Sequence, residues 1–345
     1  MYFIMIMLLM TWSSASVYIQ DAKLYNETGM HRVHGLNWYG METEIRVVEG
    51  LWEHDMRFYF DLMKQKHFNT IRIPFALEGI LSFKYTLPLS ENYVTSHSLC
   101  DNGCNTYDIM DQLFELGDEY SIDIVMDMHR LHFHSTSQLW YDSVFTEDDM
   151  LYGWSILLTR YQQYKSFKYI DIYNEPHGVS TVNSGNHKTD WDGFVIKSIP
   201  YFLFSGKLIW VNGIAWGQDM RNFSRLQDLP DEYKKIMIMS PHSYGPTLTW
   251  LPNDTYPYLQ KHLDSYFGYL SKDFPIVVGE WGGTDHDHVW MEMFTDYLIE
   301  HSYDSCFWAL NPNSKDVRGY LLPDWTSIDP FKEQLLDRIY RSSIR

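Results

Sequence analysis

Cysteine is scarce, with three in 345 residues, so disulfides cannot be the framework of this fold and a hydrophobic core must hold it. Cys100 and Cys104, in Cys-Asp-Asn-Gly-Cys, have a spacing that can close a small loop in an oxidising compartment. Cys306 lies in an apolar run and reads as a buried free thiol. Cys-x₃-Cys has no second pair to complete a ligand set, so no metal site is expected. Positive charge is also in deficit. The 27 Lys and Arg against 45 Asp and Glu leave a formal charge of −18, which repels phosphate backbones and anionic lipid and excludes a nucleic-acid or membrane-surface partner. No Gly-x-Gly-x-x-Gly follows the first strand candidate, which argues against a dinucleotide fold, and no cofactor is expected. The apolar run from Tyr2 to Met10 is too short to span a bilayer. Followed by small polar residues through Ser16, it reads as a secretory signal peptide, residues 1–17, cut between Ala15 and Val17. No repeat, low-complexity tract or Pro/Ser/Thr-rich linker divides the remainder, so residues 18–345 are expected to form a single domain.

Aromatic residues are abundant by contrast: 13 Trp and 26 Tyr exceed what a core needs, and the surplus favours flat, amphipathic ligands such as sugar rings. Short apolar runs recur along the chain at 33–38, 69–74, 122–128, 169–173, 207–211, 236–239, 275–278 and 305–310. Stretches with helical spacing lie between several of them, among them Ile109, Leu113, Leu116 and Tyr120, and Leu259, Leu263, Phe267 and Leu270. A last helix is expected to start with Asp329 as N-cap and Pro330 at its first position. Eight alternations of strand and helix in a chain of this length predict a (β/α)₈ TIM barrel. Asn26-Glu-Thr, Asn222-Phe-Ser and Asn253-Asp-Thr are acceptor sequons on a eukaryotic secretory route.

Two acids end apolar strand candidates: Glu175 in Tyr-Ile-Asp-Ile-Tyr-Asn-Glu-Pro and Glu280 in Pro-Ile-Val-Val-Gly-Glu. Strands of a parallel barrel are covered on both faces, so a carboxylate at a strand tip belongs to the mouth, where barrel enzymes act. Arg72, His129, Asn174, His242, Tyr244 and Trp308 occupy the ends of other strand candidates and converge on that mouth if the barrel closes. Cleaving a glycosidic bond takes one carboxylic acid to protonate the leaving oxygen and one carboxylate to attack or to activate water. Arg72 beside Glu280 would hold it ionised as nucleophile, and a sheltered Glu175 would keep its proton. Tyr244 could donate to the nucleophile, Asn174 could bind a sugar 2-hydroxyl, and His129 and His242 could hold hydroxyls or the acid/base. Trp308 offers a flat platform. The run from Asp285 to His288 reads as a solvated loop rather than an ion site.

These residues carry a resemblance. Asn174-Glu-Pro-His177, Gly279-Glu-Trp-Gly282, Gly35-Leu-Asn-Trp-Tyr-Gly40, Ser137-Gln-Leu-Trp-Tyr141 and Asn311 through Trp325 make residues 30–340 similar to glycoside hydrolase family 5, nearest its endo-β-1,4-glucanases. The resemblance implies a retaining barrel glycosidase with Glu175 as acid/base and Glu280 as nucleophile. It implies that Trp38 and Trp216 line sugar subsites beside Arg72, His129, Asn174, His242, Tyr244 and Trp308. The expected partner is a β-glucan polysaccharide, and the expected enzyme is secreted and monomeric. Another family 5 activity, on β-mannan, xyloglucan, β-1,3-glucan or a glycolipid, shares the same fold and chemistry. A silent carbohydrate-binding barrel is the reading from another class.

Overall fold

The computed structural model describes residues 17–94, 103–249 and 255–344. Residues 1–16 of the expected signal segment, Cys100 and Asn253 lie outside the described residues, whereas Val17, its expected last residue, is buried in the fold. The described chain opens with a small antiparallel meander of β1 (Tyr18–Gln20), β2 (Lys23–Asn26) and β3 (Gly29–Met30). Nine parallel strands follow: β4 (His34–Asn37), β5 (Thr70–Ala76), β6 (Asp123–Arg130), β7 (Phe167–Asp171), β8 (Leu208–Val211), β9 (Met237–Met239), β10 (His242–Tyr244), β11 (Val277–Gly282) and β12 (Asp304–Phe307).

The strands are bonded in the order β10-β11-β12-β4-β5-β6-β7-β8-β9. Because β9 and β10 are consecutive pieces of one stave, the two ends of that order meet and the sheet closes. Met239 N donates to Pro275 O, and Gly279 N donates to Pro241 O, so both pieces lie against β11 or its lead-in. Pro241 has no N–H to give, which interrupts the ladder and splits the stave. The result is the expected eight-stave (β/α)₈ barrel, each predicted apolar run supplying one stave.

Strand burial explains the unbroken apolar runs: all seven residues of β5 are buried, as are all six of β11. Long helices at Met56–Gln65, Thr106–Tyr120, Glu147–Tyr161, Trp191–Phe202, Tyr256–Tyr266, His288–His301 and Pro330–Ser343 wrap the barrel. Their starts are written in the sequence. Asp55 accepts from Phe58 N, capping boxes form at Asn105/Asp108 and Thr146/Asp149, and Asp329 accepts from Phe331 N and Lys332 N. Between β8 and β9 the chain instead makes two four-residue helices, Ser224–Gln227 and Asp231–Lys234.

The interior is layered. Val125, Tyr169, Trp210, Ile238, Val277 and Cys306 pack with Val17, Ile19 and Leu24 of the meander, which plugs the bottom of the barrel. His31 Nε2 lies 3.1 Å from Asp123 Oδ2 and Arg32 pairs with Asp304, each acid the first residue of its strand, which fastens the chain just after β3 to that rim. Two residues farther along the strands, the same inward-facing rows turn polar, and the site begins. Cys104 is disulfide-bonded and Cys306 is a buried free thiol.

Candidate active site

Arg72 is fully buried at the centre of the polar layer. Its guanidinium donates to Glu280 Oε1 (2.7 Å), Asn37 Oδ1 (3.0 Å), Asn174 Oδ1 (2.8 Å) and Asp171 Oδ2 (3.0 Å), and pairs with Asp127 Oδ2 at 3.1 Å. A buried cation needs such a shell, because removing it from water without partners is prohibitive. Burial pushes the carboxyls of Asp127 and Asp171 up to about 7, with Arg72 pulling the other way. One cation thus serves three acids.

Glu280 lies within β11, and its second oxygen accepts from the Tyr244 hydroxyl at 2.6 Å. Burial and then the nearby Glu280 charge push that phenol well above its ordinary value, so it stays a donor. Tyr244 and His242 are two apart on β10, hence on one face, and both point to the site. His242 Nδ1 is 2.8 Å from Glu175 Oε1 and 3.5 Å from Glu280 Oε2. Burial, then Arg72 and His129, push His242 well below its ordinary value, so it is neutral; with its proton on Nδ1 it donates between the two acids. Gly217 makes room for it. That glycine has φ +74°, and a Cβ there would stand 2.7 Å from the imidazole Cγ.

Glu175 follows the end of β7 by four residues and takes a left-handed φ of +51°, uncommon for a residue with a side chain. The turn aims its carboxyl back across the mouth. One Glu175 oxygen and one Glu280 oxygen lie within 4.8 Å of one another and of a His242 ring nitrogen. Burial first, and then the Glu280 charge, push Glu175 well above the ordinary carboxylate range. Two carboxyls this close sit in unlike surroundings: Glu280 accepts from Arg72 and Tyr244, and Glu175 is the one pushed toward its protonated form.

On the other flank His129 Nδ1 donates to Asp127 Oδ2 (2.6 Å), and its Nε2 accepts from Asn174 Nδ2 at 3.4 Å. Burial pushes His129 down to about 4, which keeps it neutral, and the bond to Asp127 sets the tautomer. The rings of His129, Trp308 and Tyr39 run parallel, with centroids 5.5 and 5.4 Å apart and 14° and 12° between planes. Trp308 and Tyr39 are partly exposed and offer flat surfaces at the mouth.

The profile of the family described as Cellulase (glycosyl hydrolase family 5) matches residues 25–314. The chain belongs to glycosyl hydrolase family 5. It is 32% identical to an endoglucanase of Paenibacillus polymyxa over 93% of this chain and 86% of that one. It is 27% identical to the major extracellular endoglucanase of Xanthomonas campestris pv. campestris, over 90% and 68% of the two chains. Among solved structures, a cellotetraose complex of an endocellulase from Pyrococcus horikoshii superposes with a TM-score of 0.86 at 25% identity, covering 96% of this chain and all of that one. The protein is a glycoside hydrolase built on the family's barrel.

Arg72, His129, Asn174, Glu175, His242, Tyr244, Glu280 and Trp308 are brought together at one mouth. Trp216 is 46% exposed at its edge and stacks on His177 at 3.5 Å, and the His177 Nδ1 donates to Glu175 O. Trp38 is a correction. It is fully buried, its indole N–H bonds to Glu49 O and its ring packs on Tyr59, so it belongs to the core, and its neighbour Tyr39 reaches the mouth instead. The run from Asp285 to His288 is also more than a solvated loop. Asp287 is buried, accepts from Thr284 and Thr247, and ties the loops after β10 and β11 together, while Asp285 pairs with Arg318 and His288 stacks on Phe331.

Sequence reasoning passed over Asp127, Asp171, Asn212 and Tyr39. A signal existed for the first: Asp127 precedes His129 by two residues on β6, so both face the same way. A cavity of about 570 Å³ lies elsewhere, lined by Glu147, Asn183, Asp190, Lys197 and Arg225, whose charges are already paired with one another. It carries none of the groups just described.

Proposed function

We infer that the protein is a retaining endo-β-1,4-glucanase that hydrolyses internal bonds of cellulose or a related β-glucan. The observation that carries the mechanism is the unequal treatment of two adjacent carboxyls. Arg72 and Tyr244 both bond Glu280, while Glu175 has burial and the Glu280 charge favouring its proton.

In the first step Glu280 attacks the anomeric carbon and the Glu175 O–H passes its proton to the departing glycosidic oxygen, leaving a glycosyl ester on Glu280. In the second, water gives a proton to Glu175 as its oxygen displaces Glu280, and both groups return to their starting states. The separation within 4.8 Å between oxygens suits direct attack, since retaining pairs stand about 5 to 5.5 Å apart and inverting pairs leave room for a water. Asn174 has one amide hydrogen left for a sugar hydroxyl after bonding His129. Trp308, Tyr39 and Trp216 supply apolar faces for glucose rings.

The substrate class rests on the endoglucanase relatives and on the aromatic mouth. The apolar run ahead of Ser16, the sequons at Asn26, Asn222 and Asn253, the Cys104 disulfide and a relative named as extracellular support secretion. Among the described residues no helix is long and apolar enough to cross a membrane.

The test is reducing-sugar release from carboxymethyl cellulose, mannan and mixed-linkage β-glucan, with product lengths, using wild type, Glu175→Ala and Glu280→Ala. Wild type should shorten cellulose internally, and both variants should fall silent. On dinitrophenyl β-cellobioside, whose leaving group needs no proton, azide should give an inverted glycosyl azide from Glu280→Ala and a retained one from Glu175→Ala. A swap of those products reverses the assignment, and preference for mannan moves the protein to another activity of the family.

A further inference from the structure

Asn212 follows the last residue of β8 and is fully buried. Both ends of its amide are used, with fixed polarity. Oδ1 accepts the backbone N–H of Glu175 at 3.2 Å, and Nδ2 donates to Asp171 Oδ1 at 2.8 Å. The other oxygen of Asp171 accepts from Arg72 Nε at 3.0 Å, and Arg72 donates to Glu280 Oε1 at 2.7 Å. A single buried chain of hydrogen bonds therefore runs from the Glu175 backbone through Asn212, Asp171 and Arg72 to the Glu280 side chain.

The acid end of that chain needs holding. Glu175 sits at φ +51°, where a side chain is disfavoured, and such a conformation persists only if its surroundings over-determine it. Asn212 holds the N–H before its side chain, and the His177 imidazole holds the C=O after it at 2.7 Å. A flipped amide at 212 would set an N–H against an N–H and an oxygen against a carboxylate, so only one orientation serves.

We propose that Asn212 and Asp171 are positioning residues that hold Glu175 within reach of the leaving-group oxygen and fix its spacing from Glu280. The proposal rests on Glu175 being the acid/base. Asp171 works from one side on Arg72 and from the other on Asn212, so it couples the two acids. Its removal disturbs both ends, whereas removal of Asn212 disturbs chiefly the proton donor.

Leaving-group dependence separates a misplaced acid from a general loss of structure. Departure of dinitrophenolate needs no proton, but departure of an alkoxide or a sugar does. The kcat/KM values of wild type, Asn212→Ala, Asn212→Leu and Glu175→Ala are to be measured on dinitrophenyl and methoxyphenyl β-cellobiosides. A general acid contributes about 10²- to 10⁴-fold, so a displaced one should cost the Asn212 variants about 10- to 10²-fold on the methoxyphenyl substrate and under about threefold on the dinitrophenyl one. The ratio of the two substrates is taken on the same preparation, so partial unfolding cancels. Equal losses on both, or no loss on either, overturn the proposal. If Glu175→Ala itself shows no leaving-group dependence, the acid/base assignment fails instead. A dependence in Glu175→Ala without one in the Asn212 variants sinks the positioning role alone.

Discussion

The Tyr244 hydroxyl donates to Glu280 Oε2 at 2.6 Å, and Arg72 grips the other oxygen at 2.7 Å. Both Glu280 oxygens are held, so the attack direction of the proposed nucleophile is set before substrate arrives. A hydrogen bond to a charged group is worth about 1.5–3 kcal/mol, so Tyr244→Phe should lower kcat by about 10- to 10²-fold with a smaller change in KM. Steady-state kinetics on cello-oligosaccharides check this; an unchanged kcat would show that Arg72 alone suffices.

Glu175 holds its proton because it is buried and because Glu280 is charged nearby. The activity of the wild type should therefore fall as pH rises through the raised Glu175 value, where the general acid is lost. Glu280→Gln removes the neighbouring charge, and the Glu175 carboxyl should then titrate at lower pH than in the wild type. Carbon-13 NMR of labelled glutamate reads this without needing turnover. An unmoved titration would assign the whole rise to burial.

Trp308 is partly exposed and runs parallel to both Tyr39 and His129. Aromatic contacts are worth about 0.5–1.5 kcal/mol beyond area burial, so Trp308→Ala should raise KM for cellotetraose about tenfold once lost burial is added. Calorimetric titration of cellotetraose into Glu175→Gln, with and without the Trp308 change, isolates binding. Equal affinities would remove Trp308 from the sugar path.

His34 lies in β4, against Phe68, with Nδ1 buried and unpaired. Burial, then His67, push it down to about 3 from an ordinary 6.5. A histidine held neutral in this way costs the fold nothing above its unfolded value, and stability is lost as pH falls from there toward the folded one. His34→Leu, which has no proton to exclude, should gain on wild type in melting temperature as pH drops from 6.5 toward 3. A tenfold change in proton affinity corresponds to about 1.4 kcal/mol, which sets a ceiling of a few kcal/mol on the gain. A melting-temperature gap that stays constant with pH would show that His34 takes up its proton as readily in the folded state as in the unfolded one.

How much of this was legible in the chain depends on the kind of signal. Strands buried on both faces read as apolar runs, so all eight staves were visible, and the acids at their tips stood out against that background. The two pieces of the sixth stave were not separable, because Pro241 falls just after the apolar run and its effect is a missing hydrogen bond rather than a change of pattern. The three-stranded meander was missed because β1 to β3 are only two to four residues long and mostly polar on one side. Trp38 and Tyr39 are adjacent and point to opposite faces of the chain. The sequence shows two aromatics there, and only the packing against Tyr59 decides which one turns inward. Asp171 and Asn212 carry no motif of their own, since their role exists only in a bond between two strands.

The meander under the barrel has a practical consequence. Val17 enters the fold at the floor, on the side away from the paired glutamates, and that floor is packed shut. An affinity tag or a solid support coupled ahead of Val17 would hang the enzyme with its cleft facing the medium. A polymer too large to diffuse into a bead would still find the working face open.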